Sequence, residues 1–122
     1  MSINVKFRVW IEIEGAHLIG PGGYEILKAI DEVGSLSGAA RKLGMSYRFV
    51  WNYINKMEKN FGVKLVDPWK GGKGKGGAKL TPDGRALLKY YEDIVTEMNK
   101  VASEWSMKLN MEFQSIKNNK KT

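Results

Sequence analysis

The sequence predicts a mainly helical fold with a small amount of β-structure, and three observations carry this prediction. Two short helices joined by a tight turn are indicated between residues 36 and 61. A glycine- and lysine-rich loop between two short strands follows within residues 63–81, and a long amphipathic helix begins at Pro82. These parts in this order predict a winged helix-turn-helix, preceded by an N-terminal β-hairpin and followed by a long C-terminal dimerisation helix.

The composition limits the kinds of functional site that the chain can form. The 122 residues suit one domain with an extended appendage, and the absence of cysteine excludes disulfides, thiolate metal sites and cysteine nucleophiles. With a single histidine, His17, no convergent carboxylates and no phosphate loop, we predict no enzyme, no metal site and no cofactor. No apolar run has membrane-spanning length and no signal-peptide core is present, so we expect a cytoplasmic protein without a membrane partner.

The positive charge is concentrated in one part of the chain. The net charge is +7, yet residues 36–80 hold ten Lys or Arg against two acidic residues, while the remainder holds ten against eleven. A general solubility charge would be spread evenly. A localised basic segment is instead typical of a protein that binds a polyanion such as double-stranded DNA.

The N-terminal region changes its periodicity once. Apolar and polar residues alternate along residues 5–13, which predicts a half-buried strand, and Ala16–Ile19 reads as the returning strand of a β-hairpin over residues 4–19. From Tyr24 the apolar spacing becomes helical, and Gly34 is the expected end of that helix. This gives three helices, the minimum core around a helix-turn-helix.

The helix-turn-helix is predicted from spacing and from helix-end residues. The first helix is expected from Ser37 to Leu43, Gly44 and Met45 form the turn, and the second helix runs from Ser46 to Phe61. The residues expected to face the core recur at helical spacing: Ala39, Leu43, Met45, Val50, Ile54 and Met57.

The outward face of the second helix predicts DNA binding. Arg48 can bond guanine bidentately, and Asn52 and Asn55 can bond adenine, so these three are the predicted base contacts. The other DNA contacts expected on the two helices are Ser37, Arg41, Ser46, Tyr47, Trp51 and Lys56. The alternative is a helical hairpin in an ordinary core with a solvated polar face, but exposed aromatics beside an arginine favour DNA.

The segment after the second helix is the predicted wing. Val63 to Asp67 and Ala78 to Thr81 read as the arms of a hairpin, and glycines would let the loop between them lie close to a phosphate backbone. The predicted DNA contacts of the wing are Lys70, Lys73, Lys75 and Lys79. The alternative for this loop is a disordered linker.

The C-terminal part predicts a long helix. Thr81 is the expected cap and Pro82 the first residue, and a helix reaching about Phe113 would be about 45 Å long. Its apolar residues alternate spacings of four and three, as in a homodimeric coiled coil: Leu87, Tyr91, Ile94, Met98, Val101 and Trp105. The alternative is that this helix packs against the N-terminal hairpin of the same chain. The tail, residues 117–122, is expected to be disordered.

The segment from Gly34 to Leu65 resembles the N-terminal DNA-binding domain of LysR-type regulators and, more closely, the ModE family of molybdate-dependent regulators. SYRFVWNYINKM resembles that family's recognition helix, and GGKGKGGAKLTPDG resembles its glycine-rich wing and linker helix. The resemblance covers roughly residues 20–95 and implies a dimeric protein that binds a palindromic operator. Those regulators carry molybdate-binding domains beyond the point where this chain ends, so no oxyanion site is carried over.

The sequence therefore predicts a homodimeric, DNA-binding transcriptional regulator. Its expected parts are a winged helix-turn-helix over residues 1–81, a dimerisation helix over 82–116 and the tail. One alternative is an architectural or chromatin-type protein with little sequence specificity. Another is a sensor whose small-molecule effector binds at the dimer interface near Tyr91, Met98 and Trp105.

Overall fold

The structure is a computed structural model that describes residues 2–69, 76–114 and 116. The elements in chain order are β1 (Ile11–Ile13), β2 (Ala16–Ile19), α1 (Pro21–Val33), α2 (Leu36–Leu43), α3 (Tyr47–Phe61), β3 (Val66–Trp69), β4 (Gly77–Leu80) and α4 (Pro82–Glu112). The mainly helical winged helix-turn-helix predicted from the sequence is confirmed. Within the described residues the chain forms two compact units: one lies within residues 9–91, and the other joins residues 2–8 to residues 92–114 and 116.

The N-terminal hairpin is shorter than predicted. β1 pairs with β2 in antiparallel register, with Glu12 opposite His17, around a turn in which Gly15 has a φ of 81°. The alternation of half-buried and exposed residues does extend along residues 3–13. However, β2 offers only four residues for pairing, so the predicted strand over residues 5–13 is a paired strand only from Ile11 onward.

Helix α1 lies at the centre of the larger unit and packs on α2, α3 and β4. Ile26, Leu27 and Ile30 give it a fully buried stripe. A Cβ atom on Gly23 would lie 2.9 Å from the sulfur of Met57 on α3, so the glycine allows the two helices to approach closely.

The wing consists of β3, β4 and the loop between them. The strands pair from Val66 opposite Leu80 to Trp69 opposite Gly77, and the Ala78 N–H donates to the carbonyl oxygen of Gly34 at 2.9 Å. The predicted first arm began at Val63, but the strand begins three residues later. This backbone hydrogen bond fixes β4 to the end of α1.

Helix α4 starts as the sequence predicts. The Thr81 hydroxyl accepts the Gly84 N–H at 3.0 Å and donates to the carbonyl oxygen of Lys64 at 2.7 Å. Further along, Tyr91 donates from its hydroxyl to the carbonyl oxygen of Val9 at 2.8 Å, and its ring centroid lies 5.3 Å from that of Tyr24. This end of α4 is therefore part of the core of residues 9–91.

The smaller unit joins the start of the chain to the later part of α4. The Val5 N–H donates to the Ser106 hydroxyl at 2.8 Å. The Asn110 side chain accepts the Ile3 N–H at 2.8 Å and donates to the Ile3 carbonyl at 2.8 Å. Residues 2–8, which include the first part of the predicted hairpin region, thus pack on α4 through Ser106 and Asn110 without pairing with a second strand.

Candidate nucleic-acid interface

Helix-end contacts define the turn between α2 and α3. The Ser35 hydroxyl accepts the Gly38 N–H at 3.0 Å and begins α2. Gly44 takes a left-handed φ of 68° and ends it. The Ser46 hydroxyl then accepts the Phe49 N–H at 3.0 Å, which starts α3 one residue later than predicted, with Ser46 as its cap.

The inward face of this helix pair agrees with most of the predicted core. The prediction is confirmed for Ala39, Val50, Ile54 and Met57, which are buried together with Ala40. Leu43 and Met45 are only half-buried because they lie at the turn, where the two helices part. One face of α3 is therefore fixed against the core and the opposite face is available to a partner.

The side chains predicted to contact DNA on both helices are exposed to solvent. On α3, Tyr47 is 53% exposed and Trp51 is 39% exposed. The remaining predicted contacts on the two helices are exposed as well: Ser37, Arg41, Ser46, Arg48, Asn52, Asn55 and Lys56. The structure thus leaves every one of these side chains accessible, and α3 brings six of them onto one 15-residue helix.

Phe49 is an exposed residue of this helix that was not predicted as a DNA contact from the sequence. The side chain is 50% exposed although it is wholly apolar, and its ring centroid lies 6.0 Å from that of Tyr53. At 100° per residue, Phe49 lies on the opposite flank of the outward face from Trp51. The signal in the sequence was its position one residue before the core residue Val50, which turns it away from the core.

The wing is only partly described. Lys79 on β4 is exposed, opposite Asp67 on β3, whereas the predicted contacts Lys70, Lys73 and Lys75 lie outside the described residues. Trp69, at the end of β3, is 48% exposed. Its indole lies across β4 because residue 77 is glycine: a Cβ there would stand 2.8 Å from Cε2 of the indole.

Two acidic residues near the helix-turn-helix, Glu58 and Glu32, are held by partners. Glu58, one of the two acidic residues in the basic segment, accepts the N–H groups of Leu65 and Val66 at 2.8 Å and 3.2 Å. Glu32 on α1 pairs with Lys42 on α2. The hydrogen bond from Lys42, followed by its charge, holds the pKa of Glu32 below its ordinary value.

The described part of the chain shows neither a cluster of metal-ligating side chains nor a membrane-spanning helix. Within residues 2–69 and 76–114, no three His, Cys, Asp or Glu side chains are grouped in a way that could hold a metal ion. None of the helices described above is both long enough and apolar enough to span a membrane.

Comparison with known proteins gives the same assignment to this segment. The family model described as "Bacterial regulatory helix-turn-helix protein, lysR family" matches residues 23–85. The molybdenum-pterin-binding protein MopB of Rhodobacter capsulatus is 36% identical over 85% of this chain, which spans 38% of that protein. The transcriptional regulator ModE of Yersinia pestis is 39% identical over 66% of this chain, which spans 30% of that protein.

A solved structure agrees with the fold. The crystal structure of the CbnR DBD–DNA complex superimposes with a TM-score of 0.55 at 21% identity, covering 70% of this chain and 93% of that one. The chain spans less than half the length of the two relatives above. Because the family model matches more than half of its residues, the chain belongs to the lysR family of bacterial regulatory helix-turn-helix proteins.

Proposed function

We propose that this chain is a DNA-binding transcriptional regulator and that α3 is its recognition helix in the major groove. The observation that carries the proposal is the division of α3 into two faces. Val50, Ile54 and Met57 are buried, while the opposite face exposes aromatic, cationic and amide side chains together. The major groove is about 12 Å wide and admits one α-helix.

The proposed roles follow from the chemistry of each group. Arg48 donates to guanine, and Asn52 and Asn55 each pair with adenine through an amide that both donates and accepts. Lysines of the wing, including Lys79, and Lys56 on α3 contact phosphates, which position the protein without reading sequence. The family assignment supports this proposal. In the proposed function the chain has no catalytic role, and we expect it to act in the cytoplasm.

We further propose that the protein acts as a homodimer. Four apolar side chains of α4, Ile94, Met98, Val101 and Trp105, recur at spacings of four, three and four and are 37–53% exposed; we call them the α4 seam. Leu87 and Tyr91, predicted for the same interface, are buried in the single chain. A two-fold dimer would present two recognition helices to half-sites about 34 Å apart, or a multiple of this.

Selection from random DNA tests the proposal. The protein is mixed with a pool of random duplexes at two salt concentrations, and the bound fraction is enriched and sequenced. We expect an enriched palindrome with half-sites about one helical turn apart. Enrichment of no sequence, with binding that falls steeply with salt, would favour the architectural alternative, and the absence of any binding would reject both.

A single substitution then separates base contacts from phosphate contacts. Asn55→Ala is expected to relax the preference at one position of the operator, at a cost of about 1–3 kcal/mol there. Asn99→Ala, on the exposed surface of α4, is the matched control and should leave the preference unchanged. An equal loss of affinity on all sequences would show that Asn55 does not read a base.

A further inference from the structure

We infer that Phe49 determines specificity by contacting the C5-methyl group of a thymine in the major groove. This inference rests on the proposed function of α3. Phe49 is the third residue of that helix and is 50% exposed. The proposed function assigns it neither a base contact nor a phosphate contact.

The position of Phe49 is fixed by its neighbours. Its N–H donates to the Ser46 hydroxyl at 3.0 Å, which holds the residue in the first turn of α3. The Tyr53 ring, one turn further on, lies against one side of the phenyl ring at a 52° angle. Tyr53 is itself held close to α1, since a Cβ on Gly22 would lie 3.0 Å from its hydroxyl oxygen. One side of the phenyl ring thus packs near Tyr53, and half of the Phe49 side-chain surface is exposed to solvent.

The chemistry of a phenyl ring narrows the possible contacts. It has neither a hydrogen-bond donor nor a positive charge, so it cannot bind a phosphate or the polar edge of a base. In an intact duplex the base faces are stacked and only their edges reach the groove. The apolar group that these edges present in the major groove is the C5-methyl of thymine.

The polar neighbours of Phe49 place this thymine within the half-site. Arg48 precedes it along the helix, and Asn52 follows three residues later on the same surface of α3. Side chains three apart on a helix face meet adjacent positions in the groove. The thymine is therefore expected within a base pair or so of the position read by Asn52.

Deoxyuridine in place of thymine tests the inference directly, because it removes the methyl group and retains every hydrogen-bonding atom. Each thymine of the selected operator is replaced in turn, and dissociation constants are measured for the intact protein. One replacement per half-site is expected to weaken binding about fourfold, the effect of one buried methyl group. Phe49→Ala should bind the thymine operator more weakly and lose the difference between thymine and uracil.

Two further variants serve as a control and as a replacement in this test. Trp51→Ala removes an exposed aromatic from the other flank of α3 and should keep the full thymine preference whatever its affinity. Phe49→Gln, a polar helix-forming replacement, takes the place of Phe49→Ala if the latter does not give a native circular dichroism spectrum. If no uracil replacement weakens binding, or if the Phe49 variants keep the preference, the inference is overturned while DNA binding by α3 stands. If the wild-type protein binds no duplex, the proposed function itself fails.

Discussion

The carboxylate of Glu58, near the end of α3, accepts a hydrogen bond at 2.8 Å from the backbone N–H of Leu65. The same oxygen accepts the Val66 N–H at 3.2 Å, and the side chain is only 10% exposed. One carboxylate therefore satisfies two backbone donors at the start of β3. This contact fixes the proposed recognition helix to the wing.

Replacing Glu58 with alanine is expected to lower the free energy of unfolding by about 1–3 kcal/mol, because two backbone N–H groups lose their acceptor. Glu58→Gln keeps one acceptor oxygen and should lose less. Urea unfolding followed by circular dichroism measures both. Lys59→Ala, at an exposed neighbouring position, is the control, and equal losses in all three variants would show that the two hydrogen bonds do not matter.

Gly84→Ala sets two effects of opposite sign against each other. In an open helix this change stabilises by about 0.5–1 kcal/mol. Here the new Cβ would meet the backbone carbonyl of Leu65, with the carbonyl carbon 2.9 Å away, so the backbone must shift. We expect a net destabilisation of about 1–3 kcal/mol, seen as a lower urea midpoint. A raised midpoint would mean that the start of α4 yields without cost.

The pair between Glu32 and Lys42 predicts a dependence of stability on pH. The folded-state pKa of Glu32 is lowered, so its contribution is present above the unfolded-state pKa and is lost as pH falls through the folded-state pKa. Glu32→Gln should therefore melt slightly below the wild type at pH 7, and the two melting temperatures should converge below pH 4.5. A difference that persists in acid would have to come from another cause than this charge.

The α4 seam predicts the oligomeric state. A lysine in place of Met98 would bring two ammonium groups into a two-fold interface, so Met98→Lys is expected to yield a folded monomer in sedimentation velocity. Ser103→Lys adds the same charge at an exposed position outside the seam and should remain a dimer. A wild-type protein that sediments as a monomer at micromolar concentration would remove the basis for the proposed homodimer.

Asn110 is expected to control the order of the N-terminal segment. Its amide bonds both the N–H and the carbonyl of Ile3, so Asn110→Ala should release residues 2–8 from α4. Hydrogen exchange at the Ile3 and Val5 amides measures this release, and both should exchange faster in the variant. Asn99→Ala is again the control, and unchanged protection at Ile3 would show that the segment is held without the Asn110 hydrogen bonds.

The sequence was informative where structure depends on local signals. The Thr81 cap, the Gly44 turn and the spacing of Val50, Ile54 and Met57 all depend on neighbours in the chain, and the structure confirms each of them. A cap and a turn form from a few adjacent residues whatever the rest of the fold does, so their residue types predict them directly.

The sequence was less informative where structure depends on distant partners. The alternation of apolar and polar residues along residues 5–13 predicted correctly which side chains are exposed. It did not predict strand pairing correctly, because residues 2–8 lie on α4 and not beside a second strand. Likewise, regular spacing could not tell that Tyr91 is covered by its own chain while Trp105 is exposed. Phe49 was missed because its position before Val50 indicates that it faces away from the core but does not indicate what an apolar side chain would contact there.

The bonds between Ile3 and Asn110 also bear on the order of events during synthesis. The two residues are 107 positions apart, so Ile3 leaves the ribosome long before its partner exists. Residues 9–91 form a compact unit of their own and are expected to fold in the meantime, whereas residues 2–8 have no partner until α4 is almost complete. The helix-turn-helix is thus expected to mature during translation, and the smaller unit only after it.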